Sequence, residues 1–258
     1  MEDYRAVKAR LAELTVERDG LVVLNADDPG CRALAAHLPG ASVRRYSLDD
    51  AGADATVTDG MLRLGGRPLI AAADVPLPGR HMLANVLGAS LGASLVGTDG
   101  AAIAAAIRSF AGVPHRLETV AVRGGVRYVN DSQATIPDAA IAGIEAFAPA
   151  PVVVIAGGKD KGLEYEAFAD AIAARARAAV LIGETAEQLA GLIGDRVPVR
   201  RAPNMTDAVQ AASALAREGD VVLLSPAAAS FDMFVDYAAR GDAFREAVHK
   251  LSDAERGS

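Results

Sequence analysis

The second half of the chain alternates short apolar runs with helical stretches, and this alternation limits the available folds more than any other feature. "PVVVIAG", "AAVLIG", "VPVR" and "DVVLLS" are rich in Val, Ile and Leu, and each leads into a helical stretch. Such runs fit strands buried on both faces, and strands alternating with helices imply parallel βαβ units. A hairpin, "LETVAVRGGVRYVND" with Gly124-Gly125 as its turn, leads into the series, and a helix is expected from about Pro137. The expected fold is α/β, with an open, doubly wound, mostly parallel sheet. In sheets of this kind a ligand sits beyond the carboxyl ends of the strands.

The first half reads differently. "MEDYRAVKARLAEL" spaces Tyr4, Val7, Leu11 and Leu14 three and four apart, which predicts a helix with one apolar face, and it begins without a capping residue. A buried strand is expected over Leu21–Leu24, then a short helix around Cys31 to His37. Strand-like pieces follow at "SVRRYS", "ATVTD" and "MLRLGGRPL", and two Ala-rich helices close this half. Gly112 and Pro114 then punctuate "AGVPHRLETV" before strands resume, so a boundary near residue 111 is expected, giving domains 1–111 and 112–258.

Composition excludes several classes of partner. The formal charge is −7 with acids and bases interspersed, so no basic face is evident and nucleic acid is not expected as a ligand. The single cysteine, Cys31, cannot form an intramolecular disulfide and reads as a small core residue in a reducing cytoplasm. No apolar segment follows the N-terminus, and no run approaches the roughly 18 apolar residues of a membrane helix, so neither a signal peptide nor a membrane span is expected. His37, His81 and His249 lack metal-ligand spacing, and no zinc-type site is expected.

Polar clusters occupy three strand ends. "GGKDKG" lacks the G-x-x-x-x-G-K-[ST] spacing of a triphosphate loop, and no other segment supplies it. Lys159 and Lys161 are expected just before a helix, whose positive dipole end disfavours cations unless an anion lies between; a surface turn with both lysines in water is the other reading. "NDSQAT" crowds Asn130, Asp131, Ser132 and Gln133 at the next strand end, as ligand contacts or as turn residues, and Thr135 reads as a helix cap with Asp138 three residues on. "SPAAASFDMFVDY" brings Ser225, Ser230 and Asp232 to the third, where Ser230 is a ligand group or an N-cap. The helix expected after it carries Phe231, Phe234 and Tyr237. In "PHRLE", His115 and Arg116 suit stacking and phosphate pairing, or a hinge. Lys8 by itself reads as a solvated residue of the first helix.

Taken together, "FAGVPHRLETV…GVRYVNDSQAT", "IAGGKDKG" and "VLLSPAAASFDMFVDYAARGDAFREAV" resemble the Mur ligase family in order and spacing, with "SPAAASFD" and "RGDAF" the most specific parts. "YRAVKARL", "LNADDPG" and "GRHMLANVLGA" extend the likeness through the first half. The resemblance implies a partial central ATPase domain over 1–111 and a Rossmann-like C-terminal domain over 112–258. The family's first domain and its phosphate loop have no counterpart here, so Met1 is expected to be an internal methionine and the chain a part inactive alone.

The activity implied is ATP-dependent addition of D-glutamate to UDP-N-acetylmuramoyl-L-alanine through an acyl phosphate, with Mg2+, by a cytoplasmic monomer in peptidoglycan precursor synthesis. By resemblance, Lys8 is the lysine carbamylated to bind magnesium. Asn85 reads the adenine, and His115, Arg116 and Asp131 contact base and ribose. Ser132 and Thr135 lie at phosphate and amino-acid contacts, while Lys161, Ser230, Phe231 and Tyr237 hold D-glutamate. Gln133 stands where many members have lysine, and Met82 where asparagine is common. A folylpolyglutamate synthase-like ligase and a non-catalytic nucleotide or amino-acid binding module are the alternatives.

Overall fold

The computed structural model describes residues 2–251, with side chains from residue 6 onward. The described residues divide into two compact units, which part between Ala111 and Gly112.

The first unit opens with helix α1 (Glu2–Val16), followed by β1 (Val22–Asn25), α2 (Pro29–Ala35) and β2 (Val43–Ser47). Next come β3 (Ala55–Thr58), β4 (Met61–Leu64), β5 (Arg67–Ala71), α3 (Arg80–Leu95) and α4 (Gly100–Ser109). Its sheet runs β1-β2-β3-β4-β5, parallel across the first three strands and antiparallel from β3 onward. Leu62, Ile70, Leu87 and Leu91 form its core, where α3 lies across the sheet.

Three expectations for this half need correction. Val7 is 71% exposed and Leu11 69%, so the apolar face of α1 is not its packed face; Ala12 is the buried residue, and the Tyr4 side chain lies outside the described residues. The strand expected to be buried is only half-buried, with Leu21 exposed, because β1 is the edge of its sheet. Cys31 is half-buried on α2, a helix with no buried residues, rather than a core residue.

The second unit contains β6 (Glu118–Arg123), β7 (Val126–Asn130), α5 (Pro137–Glu145), β8 (Val152–Ala156), α6 (Glu166–Arg175) and β9 (Ala176–Leu181). It continues with α7 (Ala186–Ile193), β10 (Val199–Arg201), α8 (Met205–Leu215), β11 (Val221–Leu224) and α9 (Tyr237–Lys250). The strand order is β10-β9-β8-β11-β7-β6, parallel except for the hairpin strand β6. All five residues of β8 and all four of β11 are buried, as central strands between two helical layers must be. On one face Met205 and Val209 of α8 join Phe244 and Val248 of α9 against Val153, Ile155, Val180 and Leu224. Helices α5, α6 and α7 lie side by side in the other layer, burying Ile144, Phe168, Ile172 and Leu189. The α/β class and the doubly wound, mostly parallel sheet are as expected. Among the described residues no helix is long and apolar enough to cross a membrane.

Candidate functional site

The carboxyl ends of β7, β8, β9 and β11 meet on one side of the second sheet, and their loops are hydrogen-bonded to one another. Gly157 N donates to the Pro226 carbonyl (2.9 Å), Lys159 N to Ala229 (2.8 Å) and Ala227 N to Ala134 (2.9 Å). Gly158 and Thr185 exchange two bonds: Thr185 N donates to the Gly158 carbonyl (3.0 Å), and Gly158 N to Thr185 Oγ1 (3.1 Å). Asp232 accepts from Glu184 N (2.9 Å). These contacts demand bare backbone at Gly157 and Gly158, and all three glycines of "GGKDKG" have positive φ.

The two lysines differ. Lys159 is ion-paired with Glu184 at 2.6 Å, and that carboxylate holds its pKa above the ordinary lysine value. Lys161 is exposed and makes no ion pair among the described residues. Neither sits at a helix start as expected: α6 begins at Glu166, because Gly162 and the turn closed by Gly162 N on Asp160 intervene.

At the end of β7 the polar cluster is inward-facing. Asp131 is buried; its Oδ2 accepts from Ser225 Oγ (2.9 Å) and its Oδ1 from Leu117 N (3.2 Å). Burial outweighs these bonds and the nearby Arg116, pushing its carboxyl up to about 7. The bond to Leu117 matters because His115 and Leu117 both have left-handed backbone, at φ 62 and 46, and are strained there as non-glycine residues. His115 is tied down on every side: N to Glu118 Oε2 (3.0 Å), Nδ1 to Asn130 Nδ2 (3.0 Å), and the ring edge-on to Tyr237 with centroids 6.1 Å apart. The result is that Arg116, between them, projects exposed from a fixed loop.

Ser132 is fully buried and spends its hydroxyl proton on the Tyr237 carbonyl (2.7 Å), while its oxygen accepts from Arg240 Nε (3.0 Å). It therefore fastens α9 to the β7 loop. Thr135 is not a helix cap: Ile136 stands at the N-cap of α5 without a side-chain bond, and Thr135 N turns back to the Gln133 carbonyl.

Phe231 and Phe234 are not helical. The segment after Ser230 is a turn, and α9 starts only at Tyr237 because the Asp236 carboxylate caps it, accepting from Ala239 N at 2.7 Å. Phe231 is consequently 71% exposed beside Ser230. Asp236→Ala should therefore cost about 1 kcal/mol in urea unfolding, whereas Ser230→Ala should leave the end of α9 intact; the reverse ranking would overturn the cap assignment.

The structure thus gathers His115, Arg116, Asp131, Ser132, Thr135, Lys161, Ser230, Phe231 and Tyr237 on the strand-end side of the second unit, while Lys8 and Asn85 are exposed residues of α1 and α3 in the first. Glu184 and Arg240 belong to the same site; sequence reasoning passed over Glu184 and quoted Arg240 only within "RGDAF", without a role. Arg240 had a legible signal: it falls four residues before Phe244 and eight before Val248, on the core-facing side of α9, where a charge is anomalous.

Residues 115–228 match the family model described as Mur ligase, glutamate ligase domain. A curated relative from Solibacter usitatus, UDP-N-acetylmuramoylalanine--D-glutamate ligase, is 44% identical over 250 residues, covering 97% of this chain and 56% of that protein. The chain spans about half the length of the curated relatives it matches. Among solved structures, a pseudomurein peptide ligase type C from Methanothermus fervidus superposes with TM-score 0.69 at 14% identity, over 97% of this chain and 60% of that one. A Mycobacterium tuberculosis folylpolyglutamate synthase complexed with ADP gives TM-score 0.60 at 20% identity, over 87% and 53%. At such identities the two structures speak for the fold alone. Fold, strand-end motifs and similarity over nearly the whole of this chain agree, and the chain belongs to the Mur ligase family.

Proposed function

We propose that this chain is part of an ATP-dependent ligase that joins D-glutamate to UDP-N-acetylmuramoyl-L-alanine through an acyl phosphate, in peptidoglycan precursor synthesis, as a cytoplasmic monomer. The observation that carries this reading is the 44% identity, over 97% of the chain, to a relative with that printed activity. The site geometry supports it: on the strand-end turn Lys161 is exposed and makes no ion pair among the described residues, whereas Lys159 is neutralised by Glu184, and Lys161 would take the D-glutamate side-chain carboxylate together with Ser230, Phe231 and Tyr237. The exposed Arg116 would meet the nucleotide, while the buried His115 and Asp131 would set the Arg116 loop. Ser132 and Thr135 would shape the floor between amino acid and phosphate.

The residues present do not by themselves fit a triphosphate or a magnesium ion. The sequence has no G-x-x-x-x-G-K-[ST] loop, and the described residues include no group of three His, Cys, Asp or Glu side chains placed to hold a metal. Lys8, if carbamylated, would contribute one ligand to such a centre.

Isothermal titration of the chain with D-glutamate tests the lysine assignment. Lys161→Ala should weaken binding by at least ~10-fold, the value of a lost charge-assisted contact, while Lys159→Ala should change it by less than ~3-fold, since Lys159 is already neutralised. In the ligase reaction, Lys161→Ala should raise the KM for D-glutamate and leave that for ATP. Equal effects of the two lysines, or on the two substrates, would overturn the assignment.

A further inference from the structure

Arg240, one turn into α9, is 1% exposed and the largest fully buried side chain among the described residues. Its guanidinium donates from Nε to Ser132 Oγ (3.0 Å), from Nη1 to the Ala228 and Ala229 carbonyls (3.0 and 3.1 Å), and from Nη2 to the Ser132 carbonyl (2.9 Å). Every acceptor is neutral, and no carboxylate of the described residues pairs with it. Asp232 is the acid whose field reaches it, and burial still pulls its pKa down to about 10, so it stays charged at neutral pH. A buried cation without a counter-ion costs more than its hydrogen bonds return, and neutral donors could serve the same carbonyls.

Its position suggests what balances it. Nη1 lies 3.0 Å from the point a side chain on Gly158 would occupy, and it bonds the carbonyl of Ala229, the residue before Ser230. The cation is therefore the buried floor where the lysine turn crosses the serine loop, with Lys161 exposed on that same turn. A charge in this low-dielectric floor acts on a ligand above it without touching it.

We propose that Arg240 is a specificity-determining positioning residue: its charge, unpaired and only partly offset by Asp232, is the counter-charge for an anionic ligand at the strand ends, favouring a dicarboxylic amino acid over its side-chain amide. The identity of that ligand rests on the function proposed above; the counter-charge itself does not.

The test is titration calorimetry of the whole chain with D-glutamate and with D-glutamine at low salt. The native chain should prefer D-glutamate by ~10-fold or more, a ratio that Arg240→Gln should cut to within ~3-fold and Arg240→Lys should largely keep. A purely structural arginine predicts that both variants weaken both ligands in parallel with the ratio unchanged, and that result overturns the proposal. Asp232→Asn provides a reading if the Arg240 variants do not fold. It keeps an acceptor for Glu184 N but removes the nearby negative charge, so the ratio should rise, and an unchanged or lower ratio overturns the proposal. If D-glutamate does not bind but inorganic phosphate does, and Arg240→Gln abolishes it, the D-glutamate reading fails while the counter-charge stands. Binding of none of these anions by the native chain overturns both.

Discussion

Gly157→Ala is expected to lower the unfolding free energy by at least ~3 kcal/mol, through a combination of backbone strain and steric conflict. Gly157 has φ +107, a conformation L residues rarely adopt, and a Cβ built on it would lie 2.2 Å from the Ile182 carbonyl oxygen. Neither side can retreat. Gly157 follows directly from β8, Ile182 directly from β9, and the two strands are locked in register from Val152 to Ala156 against Ala176 to Leu181. Gly157 N is also committed to Pro226, so a shift would break the contact between the β8 and β11 loops. Gly66→Ala, at the β4–β5 turn, is the matched control: φ is +75 but nothing lies within 4 Å of its Cβ. Only the left-handed backbone penalty remains there, ~1 kcal/mol. Urea denaturation of the three proteins measures the comparison, and equal losses would mean that close approach of the β8 and β9 loops is not what requires a glycine.

Asp131 should make the chain less stable as pH rises from about 4 to about 7. Its folded pKa of about 7 lies above the ordinary aspartate value of 3.8, so the native state holds a proton that the unfolded state has released across that window. The stabilisation is fully present below the lower value and is lost as pH climbs through the upper one. Three units correspond to a ceiling of about 4 kcal/mol. Asp28, Asp220, Glu187 and Glu246, whose pKa values are lowered, push stability the opposite way at acid pH, so the effect has to be read as a difference. Between pH 5 and pH 8 the stability of Asp131→Asn relative to the native chain should rise by ~2.5 kcal/mol. A difference independent of pH would show that the buried carboxyl does not titrate in this range.

Much of the fold could be read from local signals. The apolar runs around Val153, Val180 and Val222 became strands because four to six consecutive β-branched and aliphatic residues have no helical stripe to offer, and the Gly124-Gly125 pair turned the hairpin as its chemistry requires. Element ends were less legible. Thr135 and Ser230 are both residues that cap helices, yet α5 starts without a side-chain cap and α9 is capped by Asp236. Carboxylates and hydroxyls near a helix start compete, and loop geometry selects among them.

The candidate site divides in the same way. The sequence by itself determined that polar residues stand at three strand ends, because strand length and turn residues are local properties, and its resemblance to the Mur ligases named most of the side chains involved. Only the tertiary structure decided what those side chains are free to do. Lys159 and Lys161 are two residues apart and chemically identical, but Glu184, brought in from the β9 loop, neutralises the first and not the second. Ser132 and Asp131 read as ligand contacts until Arg240, Tyr237, Ser225 and Leu117 arrive to occupy their hydrogen-bonding groups. Strand β11 enters the sheet between β7 and β8, which precede it by roughly 70 to 90 residues, and it is this insertion that carries Ser230 and Arg240 to the lysine turn. Pairings at that separation depend on complementary surfaces spread over several elements, and no single stretch of sequence contains them.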